Sequence, residues 1–95
     1  MFILLVTYTA PLDEIDALLP KHLEWLKAHK EDGVFLAGGR KVPRDGGVIL
    51  ASAATRQEAE SIAASDPFVR AGIATTEVIE FAPSFLADGL EALGG

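Results

Sequence analysis

The chain has 95 residues, with 8 Lys and Arg against 14 Asp and Glu, a formal net charge of −6 at pH 7 and no cysteine. That length fits one domain, whose folding hides only about 60–65% of the unfolded chain's surface. The acidic balance opposes binding to nucleic acid or to an anionic membrane surface, and the missing cysteines exclude disulfides, thiolate zinc sites and Cys nucleophiles. With 49% apolar and 23% charged residues the composition is that of a globular domain. No stretch approaches the roughly 20 apolar residues of a membrane span. Met1-Phe2-Ile3-Leu4-Leu5-Val6 lacks the basic start and small-residue cleavage site of a signal peptide. A cytoplasmic protein is the expectation.

Phe2 to Thr9 is β-rich and apolar on both alternating faces, which predicts a strand covered on both sides. Pro11 suits a first helical position, with Asp13 and Glu14 in the first turn. Because proline has no N–H to donate inside a helix, Pro20 predicts a break: a short helix near 12–18, then a longer one from Pro20 to about Glu31, capped at Gly33. Val34 to Ala37 reads as a short strand running into Gly38-Gly39. Arg40 to Arg44 reads as a polar excursion, Asp45-Gly46-Gly47 as a turn, and Val48 to Ala54 as the returning strand. Thr55-Arg56-Gln57-Glu58 fits a capping box, opening a helix with Ala59, Ile62 and Ala63 inward. Asp66-Pro67 ends it, because a residue before proline is pushed out of the α region. One more turn follows to Gly72, then a strand from Ile73 to Ala82, and a tail helix over Pro83 to Leu93.

The order strand, helix, strand, strand, helix, strand is the split βαβ pattern of a ferredoxin-like α+β fold with an antiparallel sheet. Two helices cover one sheet face only, yet the first and third strands are apolar on both faces. An open apolar face implies a partner, and a homodimer packed sheet to sheet is the expectation.

His22 is the most informative residue. At roughly 100° per residue, positions 22, 26 and 29 fall within about 60° of one another, so His22 shares the sheet-facing stripe with Leu26 and His29. A histidine on an apolar face most often serves as a structural group with a hydrogen-bond partner. The functional alternative is a general base or acid. His29, near the helix end, complements the dipole. The two histidines lie about 10 Å apart along the axis, too far to share an ion at about 2 Å from each, so no metal site is expected. Asp66 before Pro67 reads as an N-cap, and a carboxylate with two oxygens can also orient His22. Ser65 beside it has no nucleophile elbow around it. Gly38-Gly39 permits close approach of a ligand, and Arg40 after it can orient a carboxylate or phenolate, although a solvated hairpin tip explains the same residues.

The chain resembles the YciI-like, or YCII-related, family over about residues 2 to 83, leaving 84–95 as a C-terminal tail. The features are Pro20-Lys21-His22-Leu23-Glu24-Trp25-Leu26, Gly33, Ala37-Gly38-Gly39, Glu58-Ala59 and, above all, Asp66-Pro67-Phe68-Val69-Arg70-Ala71-Gly72. The resemblance implies a dimeric α+β barrel built from ferredoxin-like subunits, with a His–Asp pair at a pocket between helix and sheet. Here the pair falls on His22 and Asp66. It also implies chemistry without a bound cofactor, an elimination or isomerisation on a small hydroxylated or lactone-like metabolite. Gly38, Gly39, Arg40 and Ser65 are the expected substrate contacts, and the small-molecule ligand is expected to be anionic. Two alternatives stand beside this: a non-catalytic ligand-binding or interaction module, and a cofactor-free oxygenase suggested by fold analogy.

Overall fold

The computed structural model describes residues 1–94. The elements are β1 (Phe2–Tyr8), α1 (Leu12–Glu31), β2 (Phe35–Arg40), β3 (Gly46–Ala51), α2 (Arg56–Ala64), α3 (Pro67–Arg70) and β4 (Ala74–Glu80), followed by a 3₁₀ turn at Glu91–Gly94. The strands make one antiparallel sheet in the order β2-β3-β1-β4. This is the expected ferredoxin-like α+β arrangement, with the helices on one face. Among the described residues no helix is long and apolar enough to cross a membrane.

Alternation along β1 sets the layers. Phe2, Leu4 and Val6 are buried toward the helices. Phe2 and Leu4 pack with Phe35, Ile49, Ala51 and the small α2 residues Ala59 and Ala63. Val6 packs with Ile15, Phe68, Ile73 and Ala74. Ile3 and Leu5 point to the other face, which no helix covers. The register sets Ile3 beside Leu50 and Ile79, and Leu5 beside Val48. Val48 and Ile79 are exposed there.

Local chemistry fixes most boundaries as expected. The Thr55 hydroxyl accepts from the Glu58 N–H at 3.1 Å, as in a capping box, while the Glu58 carboxylate accepts from the Ala54 N–H at 3.2 Å, one residue before the cap. Gly33 and Gly72 end α1 and α3 at φ +79° and +75°, a region that costs other residues strain.

Four expectations are corrected. α1 is one helix through Pro20, not two. The proline removes one hydrogen bond, to the Asp16 carbonyl, but both residues are exposed, so water can take the freed carbonyl. Gly38, Gly39 and Arg40 belong to β2 and not to a hairpin tip; the tip is residues 41–45. Gly46 and Gly47 are not a turn but the first residues of β3, which ends at Ala51 and not at Ala54. A Cβ at Gly46 would lie 1.8 Å from the Val6 carbonyl oxygen, so glycine is there for close strand approach. Finally, Pro83 to Leu93 forms no α-helix. Gly89 takes φ +94°, which interrupts any helix, and Phe85 is 88% exposed, so the segment buries no apolar stripe that would hold one. Gly95 at the end of this tail lies outside the described residues.

Candidate active site

Two elements converge on one imidazole. α1 carries His22 on its sheet-facing side, and the turn between α2 and α3 carries Asp66. Asp66 is the N-cap of α3, and Pro67 pre-sets the first helical φ. Its Oδ1 accepts the Phe68 N–H at 2.9 Å and lies 2.9 Å from His22 Nδ1. Asp66 is fully buried, while the His22 side chain keeps 13% of its surface exposed.

That geometry assigns the tautomer. An ionised carboxylate only accepts, so Nδ1 carries the proton and donates to Oδ1. In the neutral ring Nε2 then keeps its lone pair. His22 makes no other side-chain hydrogen bond among the described residues. The ring is held flat as well as tethered. Phe68 stacks on it at 4.1 Å between centroids and 12° between planes. Trp25 lies 5.5 Å away on α1 and donates its indole N–H to Ser65 Oγ at 2.8 Å. A base fixed in rotamer and tautomer needs little reorganisation when it takes a proton.

A cavity of about 500 Å³ opens beside His22, between α1 and the β2–β3 half of the sheet. That size suits a small organic ligand. Gly38 pairs with Ile49, and Gly47 pairs with both Arg40 and Val6, so both glycines stand on the helix side of the sheet. Two strand positions without side chains keep the floor low. Leu19, Leu23, Leu26, Phe35 and Ile49 supply apolar wall, and Lys30 and Arg40 are its only fully charged lining groups among the described residues.

The expected site residues divide accordingly. His22, Gly38, Gly39 and Arg40 all line the cavity. Asp66 stands behind His22 and reaches the cavity through it. Ser65 is off the cavity: it accepts from Trp25 and donates to the Ile62 carbonyl at 2.6 Å. His29 packs against Phe35 at 5.0 Å and Trp25 at 5.5 Å, two turns from His22. The other basic residues near Arg40 are engaged elsewhere. Arg44 pairs with Asp16, and that bond holds its guanidinium pKa above the ordinary value. Lys41 reaches Thr7 at 3.4 Å.

Sequence reasoning missed Lys30 and the stacking by Phe68. Lys30 was findable, because 22, 26 and 30 form an i, i+4, i+8 series on one helix side. Phe68 stands in the Asp66–Gly72 run that carries the resemblance, but nothing in the sequence gave it a stacking part.

A model of the YCII-related domain matches residues 1–82. The chain belongs to this family. No curated protein matches it in sequence. Among solved structures, it is similar to 5-chloro-2-hydroxyhydroquinone dehydrochlorinase from Burkholderia phenoliruptrix AC1100, solved in complex with 2,5-dihydroxybenzoquinone. The TM-score is 0.71 at 22% sequence identity, over 85% of this chain and 93% of that one. At that identity the likeness speaks for the fold, and it agrees with the ferredoxin-like arrangement of this YCII-related chain.

Proposed function

We propose that this YCII-related protein is an enzyme of the lyase or isomerase type. It would act on a small hydroxylated or lactone-like ring compound through acid–base chemistry of His22 and Asp66, with no bound cofactor. The observation that carries this reading is an imidazole tied at Nδ1 to a buried carboxylate while lining a cavity of about 500 Å³.

In this reading His22 Nε2 takes a proton from a substrate hydroxyl or from a carbon next to a carbonyl. The electron pair left behind forms a new π bond. In an elimination from a halogenated hydroquinone, one hydroxyl proton first moves to the halogen-bearing carbon, giving a ring ketone. His22 then takes a second hydroxyl proton, the new C=O and C=C bonds form as halide leaves with its bonding pair, and the proton passes to water. In an isomerisation the imidazolium returns the proton to a different atom. Asp66 holds the ring and stabilises the imidazolium without being protonated. Arg40 offsets the charge that builds on the substrate oxygen. Ser65 then has a structural part, anchoring Trp25, and not a substrate contact.

The dehydrochlorinase named above sets the first assay. With 5-chloro-2-hydroxyhydroquinone, the expected result is release of chloride and formation of a hydroxyquinone. His22→Gln should lower that turnover about 10²–10⁴-fold, the usual range for positioned proton transfer. Equal turnover in a folded His22→Gln protein would remove His22 from the chemistry.

We also propose that a second copy of the chain covers the open sheet face, giving a homodimer. The support is the adjacent Ile3, Leu5, Val48, Leu50 and Ile79 on a sheet face that no helix covers, with Val48 and Ile79 exposed.

A further inference from the structure

The cavity is larger than the reaction at His22 needs. A water occupies about 30 Å³ of liquid, and a single hydroxylated quinone ring, with about ten non-hydrogen atoms, displaces only about five waters. The cavity, about 500 Å³ and open to solvent along one side, is longer than such a ring lying against the imidazole.

The spare space has a direction. His22, Leu26 and Lys30 follow one another along α1 at four-residue intervals, and Lys30 is about 12 Å beyond His22. β2 runs back beneath the helix from Phe35 to Arg40, about 16 Å. Phe35 packs against Trp25 and His29, so it lies under the later turns of α1, and Arg40 lies under the earlier ones. The two cations thus stand at opposite ends of the trough, with His22 between them. The wall between His22 and Lys30 is apolar: Leu23, Leu26, Phe35 and Leu36.

Charge pairing does not by itself mark these two groups, since Lys21, Lys41 and Arg70 likewise have no salt-bridge partner among the described residues; what sets Lys30 and Arg40 apart is their place on the cavity. Lys27, one turn before Lys30, sits 4.0 Å from Glu31, and Arg44 and Arg56 have Asp16 and Glu60. Lys30 and Arg40 have no acidic partner among the described residues, and no Asp or Glu is among the cavity's described lining. In a chain of net charge −6, an acid-free trough with a cation at each end selects an anion at each end.

We propose that the substrate has two parts: a hydroxylated ring at His22, with its ionised oxygen toward Arg40, and an apolar arm along α1 that ends in a carboxylate at Lys30. This rests on the reading of His22 as the proton-transfer group and adds the class of substrate. The distal pair places the ring without touching the reacting atoms, so Lys30 is a specificity residue and not a catalytic one.

The test uses 2,5-dihydroxybenzoquinone and derivatives bearing alkyl arms of increasing length, the longest able to cover the two helical turns between His22 and Lys30. Each arm ends either in a carboxylate or in its methyl ester. Isothermal titration of the full chain should show the longest carboxylate binding about tenfold or more tighter than the bare ring, and its ester much less so. Lys30→Met should cut the carboxylate's advantage to that of the ester, whereas Lys27→Met should keep it. An arm that gives no gain, or a gain indifferent to Lys30→Met, overturns the proposal. His22→Gln separates the two readings, because it should keep the arm preference in binding while losing turnover. If turnover survives His22→Gln and the preference remains, the acid–base reading fails and the two-part site stands.

Discussion

One oxygen of Asp66 does two jobs. Oδ1 accepts the Phe68 N–H that starts α3 and the His22 N–H that sets the tautomer, both at 2.9 Å, while the buried Oδ2 has no protein partner. The two jobs can be separated by substitution. Asp66→Asn keeps an acceptor for Phe68 but removes the charge that stabilises an imidazolium. We expect its stability to stay within about 1 kcal/mol of wild type while turnover falls by about 10²-fold or more. Asp66→Ala loses the cap as well, and urea titration should show a further loss of about 1–2 kcal/mol. Equal turnover in Asp66→Asn would reduce the residue to its capping part. This pair was legible in the sequence for a physical reason: a helical stripe fixes which side His22 faces, and an acid before proline fixes a helix start. What remained hidden was Phe68, because stacking depends on how two separate elements meet.

At the scale of elements, the misread segments share a cause. Proline and glycine are turn signals only when the backbone has no better use for them. Pro20 stays inside α1 because its side of the helix is wet. Gly46 sits in β3 because β1 passes too close for any side chain. That contact also predicts the outcome of filling the gap. In Gly46→Ala the added methyl would meet the Val6 carbonyl at 1.8 Å, so the β1–β3 pairing must shift. We expect a loss of about 3 kcal/mol or more, read from the urea midpoint. A variant of native stability would mean that β3 is not held this closely. By contrast, the capping box of α2 was readable because both of its hydrogen bonds lie within five residues, and nothing distant competes for them.

At the scale of the molecule, one sheet face is buried by helices and the other is left with Ile3, Leu5, Val48, Leu50 and Ile79. The strand order and the antiparallel sheet were readable from the succession of elements, because short connections and the split βαβ pattern leave few topologies. The tail was not, since a weak apolar pattern over Pro83 to Leu93 does not say whether anything receives it. The dimer makes a sharp prediction. Val48→Lys puts a charge in the middle of the open face, at a position already 38% exposed in the single chain. Light scattering after gel filtration should give a dimer for the wild type and a monomer for Val48→Lys, with circular dichroism unchanged. A wild-type monomer at micromolar concentration would sink the proposal.

The chain has a single tryptophan, and it stands where the site can be watched. Trp25 lies beside the imidazole and is tied through Ser65 to the turn that carries Asp66. Its indole therefore reports on the surroundings of His22 and on the seating of α1 against the α2–α3 turn at once. The molecule holds a native optical gauge of the His22–Asp66 pair, with no second chromophore of that kind to blur the signal.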